Sequence, residues 1–469
     1  MIVKLLKYVK LDQSAFLIYV SAIIAALFLL LSNISPLFAS CGNPPLVDVD
    51  WSHCDKSNAD LTNVTLTLAN LSYADLSRAN LTSANLEVAN LSHADLSGAN
   101  LSGSNLGGAD FRGTNLANAN LSGVTGLTNA QLLQASNLKG VNLSNFDLSQ
   151  FDLSTLTLTK ANLAYANLAN TDIVNADLTE ANLNGANLKG ANLKGANLHK
   201  SVLVGVKNLT SAQLSSAAKL QGVNLSGLNL SRFNLSSCDL TGANLSMANL
   251  ESAELSYSAN LTGADMTGAN LTYANLAHSN LTAVILINTN ITESQLRTAA
   301  ILQRVNLSGL NLSNFDLNSL NLSEATLENT NLSGANLSGT NLAGANLTNT
   351  NLSKVNFNGA LLTGVINLKS DQLRRVANLQ GVNLSGMNLN KFDLRSHNLT
   401  GANLANASLV SSNLSKTNMT NVNLTNANLA NANLTDANLT GAILTDANLA
   451  GVNLTGAIGV NPDLLDATK

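Results

Sequence analysis

Aromatic residues make up only 4% of the 469-residue chain and charged residues only 11%, where an average globular sequence is about a quarter charged. Proline occurs 4 times and cysteine 3 times, too few cysteines for the disulfide framework of a small secreted scaffold. With a net charge of -4, the chain also lacks the positive excess that draws a protein to nucleic acid. The five histidines, His53, His93, His199, His278 and His397, have no metal-ligand spacing and read as surface residues. No glycine-rich phosphate loop, nucleophile elbow or H-E-x-x-H is present, so the sequence points to no enzyme and no cofactor. Disorder is excluded as well, because hydrophobic content is 45% and unfolded chains combine low hydrophobicity with high net charge.

The first uncharged stretch of note is Ala15 to Leu31, AFLIYVSAIIAALFLLL. As a helix it would rise about 25 Å, the short end of what a bilayer requires. Lys4, Lys7 and Lys10 precede it and no Lys or Arg follows until Lys56. That asymmetry places residues 1–14 in the cytoplasm and everything after the helix outside. Three fates are consistent with this pattern: a retained single-pass anchor, cleavage after Cys41 as in a secretory signal, and lipidation of Cys41. The last rests on Leu37-Phe38-Ala39-Ser40-Cys41, which resembles a bacterial lipobox. Residues 32–58 follow as a linker and amino-terminal cap.

From Ala59 onward Leu recurs every fifth residue, beginning ADLTN, with ANLSY, ADLSR and ANLTS from Ala69. The frame supplies 71 central positions up to Leu454, all Leu except Phe111, Ile173, Met266, Ile291, Phe357 and Met419. Five matches neither the 3.6 period of a helix nor the 2 of a strand. A chain that turns a corner every five residues satisfies it, with Leu and the Ala two places before it inside, and the intervening Asn or Asp facing water. Such a chain buries its leucines only by stacking turn on turn.

The tandem A-[DN]-L-x-x motif resembles the pentapeptide-repeat proteins over most of the chain. The resemblance implies an all-β solenoid, a right-handed quadrilateral β-helix with four pentapeptides per coil, spanning 59–456. On that geometry the frame gives about 18 coils and a rod of roughly 85 Å at the usual strand spacing. Leu and Ala would fill its interior, leaving no internal active site.

Four longer segments break the frame: LTNAQLLQASNLKGVNL from Leu127, LTSAQLSSAAKLQGVNL from Leu209, ITESQLRTAAILQRVNL from Ile291 and LKSDQLRRVANLQGVNL from Leu368. The first two intervals are equal and the last is one pentapeptide shorter. The T-x-x-Q pairs Thr128 and Gln131, Thr210 and Gln213, and Thr292 and Gln295 have the spacing of a capping box, which Lys369 breaks in the fourth. Short helices are therefore expected near 127–137, 209–219, 291–301 and 368–378, as spacers or as a periodic docking surface, and inserts four coils apart should line up. Trp51 falls on a central position and Cys54 on the Ala position, which makes Val47 to Asn58 a cap coil. Asn461-Pro462-Asp463-Leu464-Leu465 offers an N-cap with Pro at the first helical place, so 457–469 reads as a second cap.

Cys41 and Cys54 both lie beyond the apolar run, where a disulfide could persist. Cys54 and Cys238, however, each occupy the small inward position, where a free thiol is simply a small hydrophobe. Asp55, Asp75 and Asp95, 20 apart, would form a column of carboxylates that raise one another's pKa unless a hard cation such as calcium binds. The function that fits best is a non-enzymatic, extracytoplasmic scaffold, a rigid rod tethered to the membrane and offering polar faces to a protein or an envelope partner. One alternative comes from the resemblance, whose family includes DNA mimics that protect gyrase. That role needs a far more anionic surface and access to the cytosol. A carbohydrate- or ice-binding face is the other alternative, for which Thr400, Thr420 and Thr440 form a short hydroxyl column.

Overall fold

A computed structural model describes residues 40–460. The expected membrane or signal helix at 15–31 and the cap at Asn461 to Leu465 lie outside the described residues. Among those described, no helix is long and apolar enough to cross a membrane. The chain divides into two compact units, one ending at Asn137 and one beginning at Leu138, and each is a solenoid of the same construction.

One pentapeptide explains that construction. In Ala69-Asn70-Leu71-Ser72-Tyr73, the Leu71 and Tyr73 N–H groups donate forward to Asn90 O (2.8 Å) and Ser92 O (2.9 Å), and Asn70 N donates back to Val49 O (2.9 Å). Ala69 N closes the preceding corner on Leu66 O at 3.1 Å. The fifth donor, Ser72 N, is taken by the Asn70 side-chain oxygen at 3.3 Å. All five backbone donors are thus satisfied, as a buried backbone requires. The second position is therefore not merely solvent-facing, as the spacing alone suggests. Its carbonyl or carboxylate oxygen holds the corner in an Asx turn, and that is why Asn and Asp recur there.

The bridges link residues 20 apart in parallel, Asn70 to Asn90 in the first unit and Asn331 to Asn351 in the second, which is four pentapeptides per coil. Each rung pairs through a single residue because a corner follows within three. The corner residue adopts left-handed φ whatever its side chain, for example Tyr73 at 58° and Lys354 at 62°, a cost that only Gly and Asn largely avoid. Leucines and alanines form the buried interior. Where Ser or Thr replaces Ala, the hydroxyl must find a partner. Thr340 Oγ1 donates to Leu317 O one coil above at 2.8 Å, whereas the buried Ser104 and Ser412 hydroxyls find none among the described residues, and neither does Ser256, which lies in the six-residue step from Leu255 to Leu261.

The four inserts are the helices α1 (Asn129–Gln134), α2 (Ser211–Ser216), α3 (Glu293–Thr298) and α4 (Ser370–Leu373). They do not interrupt the core. Leu132, Leu214, Leu296 and Leu373 are fully buried, so each helix takes the place of one rung. Its side chains complete the ladder above: Gln295 Nε2 donates to Leu271 O (2.8 Å) and Ala274 O (2.9 Å), while its Oε1 accepts from Thr292 N at 2.8 Å. Gln131, Gln213 and Gln372 do the same one insert after another. Below, the next rung donates to the side chain at the helix start: Asn234 N to Ser211 Oγ, Asp316 N to Glu293 Oε2 and Asp393 N to Ser370 Oγ. Gly126 opens the first insert at φ 73°, where a Cβ would come within 2.6 Å of Gly107 N.

The expected alignment of inserts holds in the second unit for α2 and α3 only. One column of bridges runs from Asn192 past α2 to Asn234, Glu254 and Asn275, then past α3 to Asp316. Helix α4 instead lies between Asn351 and Asp393, one face earlier, because its interval is a pentapeptide short.

Two stability differences follow. Gln295→Ala leaves two carbonyls unpaired and should cost about 2–5 kcal/mol, against about 1 kcal/mol for Thr292→Ala, measured by urea unfolding. Ser412→Ala, which removes an unpartnered buried hydroxyl, should raise stability by roughly 1 kcal/mol in the same assay.

Candidate functional site

Chemistry other than apolar packing concentrates at two places, the first coil and α4. In the first coil Trp51 and Cys54 are each 1% exposed, on the inward positions that the frame assigns them. Cys54 is not a free thiol: it is bonded to Cys41. The Cys41 sulfur is therefore committed, and the thiol that lipidation would modify is not available. Trp51 Nε1 donates to Asn43 O at 3.1 Å. Lys56 Nζ donates to Cys41 O at 2.6 Å and lies 4.0 Å from the centroid of the Trp51 ring, a cation–π contact. Together these contacts clamp residues 40–49 over the open edge of the first coil. Cys238 is the free cysteine among the described residues, buried, with its thiol pushed up by desolvation.

The Asp55, Asp75 and Asp95 column exists, bridged rung to rung, but it does not converge on a cation. Each carboxylate turns to its own corner, accepting from Ser57 N, Ser77 N and Ser97 N, all at 2.9 Å. Hydrogen bonds from Ser57 hold Asp55 below its ordinary pKa, opposite to the expected rise. No group of three or more acidic, His or Cys side chains among the described residues could hold a metal ion. The Thr400, Thr420 and Thr440 hydroxyls likewise donate to Asn398, Asn418 and Asn438 within their own turns, so their protons are spent internally. One aromatic stack was not foreseen from the sequence: His53, Tyr73 and His93, each one coil from the next, have ring centroids 4.9 and 4.7 Å apart.

The other concentration surrounds α4. Asp393, on the rung below, takes Arg395 Nε at 2.7 Å and Arg374 Nη1 at 3.8 Å, and the Arg395 hydrogen bond holds its carboxyl below the usual range. His397 is not a surface residue as expected. It fills an inward Ala position, half-buried, and desolvation lowers its pKa against the pull of the Arg374 carbonyl and of Asp393. A cleft of about 400 Å³ opens between the rung Asn349–Ser353 and α4, lined by Lys369, Asp371, Gln372 and Arg375.

The profile described as "Pentapeptide repeats" matches stretches from 52–87 to 417–456, most of the chain. The chain belongs to the pentapeptide repeat family, whose members form right-handed quadrilateral β-helices. None of the curated proteins matches it. Among solved structures, it is similar to HetL, a pentapeptide repeat protein involved in heterocyst differentiation regulation in the cyanobacterium Nostoc sp. Strain PCC 7120. That match has 25% identity, 69% of this chain and 92% of that one, and a TM-score of 0.12. It is also similar to QnrB1, a plasmid-mediated fluoroquinolone resistance protein, with 21% identity, 48% and 86% coverage and a TM-score of 0.20. A pentapeptide repeat protein of the Arabidopsis thaliana thylakoid lumen matches at 21% identity over 34% of this chain and 74% of its own, with a TM-score of 0.12. Overlaps this low carry no argument about function.

Two measurements address these sites. Alkylation in denaturant without reductant should label one thiol per chain, Cys238, and with reductant all 3, read by intact mass. For His397 the folded state holds fewer protons than the unfolded chain, so its contribution is complete above the unfolded value of about 6.5 and is lost as pH falls through the depressed folded value. Melting should therefore drop on acidification below about 6.5, and His397→Ala should flatten that dependence.

Proposed function

We propose that the protein is a non-enzymatic, extracytoplasmic scaffold, tethered to the membrane by the apolar segment 15–31 and presenting the polar faces of its β-helix to a protein or an envelope partner. The observation that carries this reading is the Cys41–Cys54 disulfide, since such bonds persist in oxidising compartments and are rare in the cytosol. It agrees with the lysine asymmetry across segment 15–31. The interior supports a scaffold too: among the described residues leucine and alanine fill most of it, and the clefts at α1 and α4 open at the surface beside rungs and helices. Binding must then occur on faces and corners, where Asn, Ser and Thr hold one another.

The gyrase-directed alternative requires an anionic, cytosolic protein, and a net charge of -4 gives it little support. The carbohydrate or ice alternative is weakened by the internal hydrogen bonds of the Thr column.

Fractionation of expressing cells, with protease added to intact spheroplasts and the intact mass of the mature chain, tests the proposal. It predicts a full-length, membrane-associated protein whose repeats are cut from outside and whose Cys41 and Cys54 resist alkylation. A soluble, protease-protected chain with both thiols reactive contradicts it.

A further inference from the structure

We propose that the cleft between the Asn349–Ser353 rung and α4 binds a small oxyanion of the phosphate or sulfate type, gripped by Lys369, Arg375 and the Leu352 N–H. In an uninterrupted coil the N–H of the central residue donates to a carbonyl of the next coil, as Leu332 N does to Asn351 O at 3.0 Å. At each insert that carbonyl is gone. Among the described residues no acceptor reaches the N–H of Phe111, Leu193, Leu276 or Leu352. The carbonyls of the same rung are not left open, because the insert glutamine takes them, Leu347 O and Thr350 O both at 2.9 Å from Gln372 Nε2. The rim of the cleft thus offers an open donor while the neighbouring rung carbonyls are already taken, which suits a ligand that only accepts.

What sets α4 apart from α1 and α3 is unspent positive charge that lines the cleft itself. At α1 the Arg112 guanidinium lies on Asp110 at 2.6 Å, at α3 Arg297 lies on Asp316 at 3.0 Å, and the six residues of α2 are uncharged, with Lys194, Lys207 and Lys219 flanking them. At α4, Arg374 and Arg395 share Asp393, while Lys369 and Arg375, both lining the cleft, form no ion pair among the described residues. A guanidinium and an ammonium beside an open N–H are the donor set that phosphate and sulfate groups take. The site is assembled from these side chains and a rung of the ladder, and it owes nothing to the four-residue helix's dipole. Asp371 also lines the cleft and opposes an anion, so the affinity is held down by a carboxylate that can be removed. A volume of about 400 Å³ exceeds one inorganic ion and leaves room for a small ester.

The test is isothermal titration of the full-length protein with inorganic phosphate and, separately, with glycerol 3-phosphate, at a fixed ionic strength that screens bulk attraction. Binding is expected to weaken by about tenfold or more in Lys369→Gln and Arg375→Gln and to be unchanged in Arg297→Gln. Asp371→Asn should tighten it several-fold, an outcome that a misfolded variant cannot imitate. Equal binding of both probes assigns the site to the free ion, and clear preference for the ester assigns it to an esterified phosphate. No binding of either probe by the native chain and by Asp371→Asn at millimolar concentration, or binding indifferent to Lys369 and Arg375, overturns the proposal.

Discussion

No coil of this protein can bury its own leucines. A single turn of four pentapeptides encloses four central side chains that are covered only when the turns above and below are present, and the backbone donors of one turn end on the carbonyls of the next. Cohesion therefore comes from nearest-neighbour stacking along the axis, and every other feature is an accommodation to it. The left-handed corners, the Asx turns and the buried hydroxyl bonds all serve to let the chain return to register after four sides. An open end is exposed strand edge and exposed leucine at once. The clamp over the first coil meets that need: a disulfide, an indole N–H and a lysine hold residues 40–49 where a further coil would otherwise sit.

The helix inserts show how far the stacking rule reaches. Replacing a rung with a helix should have cost the core a leucine and the ladder several hydrogen bonds. The leucine is kept, as Leu214 and Leu296 show. The bonds are transferred to one glutamine above and, in α2 to α4, one oxygen-bearing side chain below, while the N–H of the central residue in the rung above each insert is left without an acceptor among the described residues. In α4, where Lys369 replaces the capping threonine and supplies no side-chain acceptor, the helix shortens to four residues, yet the glutamine bonds persist. Glutamine is the requirement of the insert, and the threonine is its refinement.

The period, the inward Leu and Ala, Trp51 in the first coil and the position of each insert were all legible in the sequence, because they depend on spacing alone. What was not legible depended on which way a side chain turns. Asp55, Asp75 and Asp95 are a column by arithmetic, but each serves its own corner. His397 sits on an inward position that the frame itself marks, two residues before Leu399, and the frame could have identified it. The Cys41–Cys54 bond was open as one of two readings, since an inward small position suits a thiol or half of a disulfide equally. The vacant N–H above each insert had no signature at all, being the absence of a carbonyl that only the three-dimensional ladder defines.

The central claim is that the fold is fixed by a five-residue side and not by any particular side. Two internal deletions in the second unit test it most directly: residues 423–427, a whole pentapeptide, and residues 423–425, three residues of the same stretch. Circular dichroism and thermal melting of the two purified proteins should show the first folded with a melt close to that of the full chain, because every later rung re-forms one full coil from its partner. The second should lose cooperative melting beyond the deletion, where each Leu lands on a left-handed corner facing water. Equal tolerance of both deletions, or equal collapse, would contradict the account.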